Sequence, residues 1–114
     1  MQRRQLFTYA GKAGGERIML QHYVFLKFKE GTPELHIQTF SKKMLALKRV
    51  IEEIEFLEVG VDELREERSW DLVLNMAFQS VETLRIYQKH PEHVAVMQFN
   101  APFVENVGSV DFSK

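Results

Sequence analysis

The sequence contains no cysteine. That absence excludes disulfides, thiolate catalysis and cysteine-ligated metals, and fits a reducing compartment, so a cytoplasmic location is expected. No apolar run approaches the roughly 20 residues that span a bilayer, and no membrane partner is expected. Neither sign of charge dominates. Fifteen Lys and Arg stand against 16 Asp and Glu, a net charge of -1, which leaves no bulk electrostatic case for binding nucleic acid or anionic lipid. Repeats and low-complexity segments are also missing.

What is present is one ordinary domain's worth of chain. The 114 residues are 45% hydrophobic and 27% charged, and a chain of that size buries roughly two-thirds of its unfolded surface without staples. Residues 1–18 stand apart: Arg3, Arg4, Lys12 and Arg17 face Glu16 alone, with Gly11, Gly14 and Gly15 between them. This stretch lacks the apolar centre of a secretory signal. It reads as an N-terminal extension, tied along a strand edge, with Met19 a candidate internal start; a basic import leader is the alternative. The domain is expected over residues 19–114.

Within it, residues 20–29 read as a strand, with Leu20, His22, Val24, Leu26 and Phe28 on one face and Tyr23 and Phe25 on the other. Gly31 breaks the pattern, Thr32 is a natural N-cap and Pro33 suits the first helical position. Ile37, Phe40, Met44, Leu47 and Ile51 then recur at helical spacing. Residues 54–61 and 70–78 read as strands, separated by a charged loop. Ser80 caps a second helix, Pro91 interrupts it and starts a third through about Phe99, and residues 106–112 form the last strand.

The order βαββαβ specifies an α+β, ferredoxin-like fold: a four-stranded antiparallel sheet with the helices on one face. The uncovered face should read polar if it met water. It carries Tyr23, Phe25, Val73 and Ala77 instead, which calls for a partner. Two such sheets packed face to face make a dimeric α/β barrel, so a homodimer through these residues is expected.

The reactive side chains concentrate in Tyr87-Gln88-Lys89-His90-Pro91-Glu92-His93. His90 and His93 stand three apart and His22 offers a third nitrogen, a set zinc accepts. Without a helical His-Glu-x-x-His or a cysteine pair, no metal is assigned. RNA-recognition domains share the strand order, but the basic-Gly-aromatic signature of their third strand is absent from Trp70-Asp71-Leu72-Val73-Leu74-Asn75-Met76. His90 is expected to cap a helix end rather than do chemistry.

These residues resemble the stress-responsive A/B barrel domain (Dabb) family. The matching positions are His22 with Val24, Phe25 and Lys27-Phe28-Lys29, then Gly60, Asp71, Phe78, Ser80-Val81-Glu82, the Tyr87 to His93 segment and Asp111. The resemblance implies the barrel-forming dimer and no cofactor. It also implies diverse functions, from stable stress-associated scaffolds to a plant polyketide cyclase that closes an aromatic ring without metal. In that cyclase the tyrosine and second histidine of the segment carry the chemistry; those positions here are Tyr87 and His93. An imidazole can remove a proton flanked by carbonyls, and a phenol can hold the resulting enolate oxygen. His22, on the helix-facing side of its strand, is placed to support them.

The expected pocket is lined by Val24, Leu26, Phe40, Met44, Leu74, Tyr87, His93 and Met97 and takes a small carbonyl-bearing or aromatic metabolite. Met44, Val104 and Met97 stand where the cyclase has tyrosine, tryptophan and glycine, so a methionine narrows the cavity at position 97. The alternatives are a non-catalytic stress-responsive dimeric scaffold and a cofactor-independent monooxygenase.

Overall fold

The computed structural model describes residues 18–114. The extension and its placement along a strand edge lie outside the described residues, apart from Ile18. The elements run β1 (Leu20–Phe28), α1 (Glu34–Val50), β2 (Phe56–Val61), β3 (Leu72–Phe78), α2 (Val81–Lys89), α3 (Pro91–Asn100), a 3₁₀ turn (Ala101–Phe103) and β4 (Val104–Ser113). The four strands form one sheet in the order β2-β3-β1-β4, and each neighbouring pair is antiparallel. This is the ferredoxin-like arrangement expected from the order of elements.

The alternation of β1 sorts its side chains as the pleat requires. Leu20, His22, Leu26 and Phe28 are buried towards the helices, opposite Phe78, Met76 and Leu72 across the ladder. The core is completed by Ile37, Phe40, Met44 and Leu47 of α1, with Ile51 just beyond it, and by Leu84, Tyr87 and Val96. These α1 residues repeat at three and four positions, so one stripe of the helix is buried. Glu34 in its first turn and Lys48 and Arg49 in its last suit the helix dipole.

Two local expectations are corrected. Thr32 does not cap α1; its hydroxyl donates to the Lys29 carbonyl at 2.6 Å, and Pro33 occupies the N-cap without a side-chain bond. The chain reverses at Gly31, whose φ of 85° favours glycine, so the Thr32 hydroxyl is spent on that turn. The second and third strands also begin two residues later than their apolar patterns. Asp71 explains the later start of β3. Its N–H donates to the Leu26 carbonyl at 2.8 Å, and its Oδ2 accepts from the Phe28 N–H at 2.8 Å. The side chain thus replaces a backbone partner where β3 leaves the ladder.

On the open face, Tyr23 lies 5.6 Å from Phe112 and Phe25 lies 6.0 Å from Trp70, centroid to centroid. Trp70 in turn lies over Gly108, where an added Cβ would meet its ring at 3.4 Å. Phe56, Trp70, Val110 and Phe112 remain exposed. Ala77, expected among the free apolar residues of this face, is already buried at 4% exposure within one chain.

Candidate functional site

The α2–α3 corner is built by local chemistry. Ser80 Oγ accepts from the Thr83 N–H while Thr83 Oγ1 accepts from the Ser80 N–H, both at 3.2 Å, a reciprocal cap that fixes the start of α2. His90 ends α2 and begins α3: its Nδ1 accepts from the Glu92 N–H at 3.1 Å, and Pro91 takes the first helical position. His90 is therefore a helix cap, as expected. The corner brings the Tyr87 and His93 rings to 4.3 Å between centroids. Phe78 continues the cluster, 5.1 Å from Tyr87 and 6.2 Å from His22.

Each polar group in this cluster has a defined state. His93 Nδ1 lies 3.0 Å from the Gln88 carbonyl. A carbonyl only accepts, so Nδ1 carries the proton and Nε2 offers its lone pair. Burial holds the His93 pKa below the usual imidazole range, helped by nearby His22 and His90 and opposed by the Gln88 carbonyl. Burial pushes the Tyr87 phenol well above its usual range, so it stays a neutral donor. Among the described residues its hydroxyl has no hydrogen-bond partner. His22 Nδ1 bonds Asp111 Oδ1 across the β1–β4 ladder, which orients the His22 ring with Nε2 free.

Beside this cluster is a cavity of about 390 Å³, within the usual range for small-molecule sites. Val24, Leu26, Phe40, Leu74 and Met97 line it, five of the eight residues expected to. Met44 does not; at 0% exposure it is sealed in the core under α1. Asn100, Ala101, Val104 and Val107 complete the wall.

Tyr87, His93 and His22 do not line this cavity. They sit one step beyond it. His93 precedes Met97 by four residues on α3, one turn or ~6 Å along the helix. His22 precedes Val24 by two residues on β1, ~7 Å along the strand. Met97 thus belongs to the cavity wall nearest the reactive pair.

Asn100 and His36 are absent from the sequence-based set. Their signal was partial. Asn100 follows His93 and Met97 by seven and three residues, on one helical face, but a helix-end asparagine reads as a cap. His36, adjacent to Ile37, reads as a solvated helix residue, yet it is buried. Asp111 stood out in the sequence without an assigned partner; the β4–β1 register supplies His22. Among the described residues, no group of three or more His, Asp or Glu is placed to hold a metal ion, and no helix is long and apolar enough to cross a membrane.

Comparison with known proteins agrees with this architecture. The chain is 27% identical to olivetolic acid cyclase from Cannabis sativa over 96 residues, covering 82% of this chain and 95% of the cyclase. A crystal structure of a dimeric protein of ferredoxin-like fold from Bacteroides fragilis superposes with a TM-score of 0.78 at 27% identity, covering 84% of this chain and 96% of the other. Hydroxynitrile lyase from Passiflora edulis shares the fold with a TM-score of 0.74 at 18% identity, covering 86% and 94% of the two chains. The family model for the Stress Responsive A/B Barrel Domain matches residues 20–114, the full span from the first strand through the last, and the chain belongs to that family, Dabb.

Proposed function

We propose that this chain forms a homodimer through its open sheet face and binds a small carbonyl-bearing or aromatic metabolite in the cavity of each subunit. The observation that carries the reading is the cavity itself, apolar and next to an unpaired phenol and a neutral imidazole. The dimer is supported by the exposed aromatic face around Tyr23, Phe25 and Val73, and by the dimeric relative from Bacteroides fragilis. Ala77 sits under this interface rather than in it.

His93 and Tyr87 equip the site for metal-free acid–base chemistry. Nε2 of His93 removes a proton from a carbon flanked by carbonyls, and the Tyr87 hydroxyl donates to the oxygen that becomes anionic; His22, held by Asp111, supports the site. Assistance of this kind contributes ~10²–10⁴-fold. The similarity to olivetolic acid cyclase supports a cyclase-like reaction. Met97, a wall residue of the cavity one helical turn from His93, is then the side chain whose bulk decides which substrates fit against the pair.

A second reading has its own observation. Because none of the three polar side chains lines the cavity, a non-catalytic, stress-responsive dimeric scaffold keeps the same fold without the reaction. A metabolite screen by thermal shift and turnover, with His93→Ala and Tyr87→Phe in parallel, separates the two. Turnover lost in both variants, with ligand binding retained, supports the acid–base reading. Turnover unaffected by both changes refutes the roles given to His93 and Tyr87. Ligand binding without turnover leaves binding as the function, and no ligand at all favours the scaffold.

A further inference from the structure

We infer that the Asn100 carboxamide, held in one orientation by His36, is the polar recognition element of the cavity and selects neutral apolar ligands bearing a hydrogen-bond-accepting oxygen. This deepens the binding reading above and rests on the cavity being the ligand site.

Asn100 is the polar member of an otherwise apolar lining, and it is only 2% exposed. Its Oδ1 lies 2.8 Å from His36 Nε2. An oxygen only accepts, so Nε2 carries the proton and donates. His36 cannot easily turn away. Its ring stacks on Phe99 at 4.7 Å, lies tilted against Phe103 at 3.9 Å, and meets Phe28 edge-on at 6.0 Å.

With Oδ1 committed to His36, the carboxamide has one group left, the Nδ2 amide. Among the described residues it has no partner. Among the described residues, the fully enclosed side-chain polar atom lacking a partner is Asn75 Oδ1, on the other face of the sheet. Asn100 Nδ2 is therefore not sealed by protein, and the open space beside it is the cavity. A buried amide donor without an acceptor is costly, and a water or a ligand oxygen relieves that cost. A ketone, ester or lactone oxygen fits the need. A hydrocarbon of the same shape fills the cavity but leaves the donor unpaired.

The test uses a matched pair of probes, acetophenone and its hydrocarbon isostere cumene, titrated against the full chain. The readout is the ratio of their dissociation constants. In Asn100→Leu this ratio moves about tenfold towards cumene, the effect of one hydrogen bond. Asn100→Leu leaves the His36 N–H without an acceptor, so the double variant His36→Phe with Asn100→Leu keeps the test interpretable if the single variant does not fold. Replacing both partners by apolar groups of similar shape is nearly neutral for folding. His36→Phe alone frees the carboxamide to flip and is expected to reduce the discrimination without abolishing cumene binding. The side-chain amide resonance of Asn100 supplies a readout that a structural role would not move: it should shift with acetophenone and not with cumene. If both probes bind and the ratio is the same in wild type and variants, the role of Asn100 is overturned and the cavity reading stands. If neither probe binds wild type, both fall together.

Discussion

Val110→Asp tests the pairing of the two sheets with little cost to the single chain. Val110 lies on β4 directly across from Tyr23 of β1, on the open face, and keeps 53% of its surface exposed. In an isolated chain the carboxylate therefore stays in water, and folding changes little. In a face-to-face dimer it is taken out of water. Covering the remaining half of a valine stabilises by about 1 kcal/mol, and desolvating a carboxylate costs several kcal/mol. A loss of about 3 kcal/mol per copy is a conservative sum on these values. Two-fold symmetry places the substitution in the interface twice. The total of about 6 kcal/mol corresponds to a rise in the dimer dissociation constant on the order of 10⁴-fold. A dimer stable at micromolar concentration should then sediment as a monomer.

Val81→Asp is the matched control: equally exposed at 51%, but on the first turn of α2, where an added acid suits the helix dipole. It should leave the dimer intact. Sedimentation of both variants, with circular dichroism to check folding, decides the matter. A Val110→Asp protein that stays dimeric at the wild-type concentration removes this face from the interface.

Ser80→Ala removes one half of the cap on α2 and should lower unfolding stability by about 1 kcal/mol, read as a shift in urea midpoint at unchanged slope; an unshifted midpoint refutes the cap's contribution. His93 is held neutral in the fold, its pKa below the 6.5 of a free imidazole. The unfolded chain therefore takes up the proton first, so the stability this residue contributes is present above about pH 6.5 and declines as pH falls through and below it. Urea midpoints at pH 7.5 and 5.5 should differ more in wild type than in His93→Gln, and an NMR titration of the His93 ring should show a midpoint below 6.5. Met97→Ala should extend the cavity towards His93. Its stability cost of about 1–2 kcal/mol falls below the usual range for enclosed side chains because Met97 already borders open space. Acetophenone should then perturb the His93 ring more in the variant than in wild type.

Much of this protein was determined by the sequence alone. Period-2 alternation in β1 and the stripe from Ile37 to Ile51 each bury one side of an element, and a slip of one residue would turn the wrong side inward. Those patterns specified the βαββαβ order and the apolar open face. Pro91 and Ser80 marked helix ends because a missing N–H and a capping hydroxyl act locally. Only the tertiary structure decided what depends on distant partners. Thr32 lost its cap role to a turn made by Lys29 and Gly31. Met44 passed from pocket wall to sealed core because α1 rotates it under the sheet. Asp111 found His22 through the β4–β1 register. His36 met Asn100 across 64 residues of chain, a pairing no local spacing encodes. The separation of the reactive pair from the cavity is likewise a packing outcome, one helical turn on α3, with Met97 at the boundary.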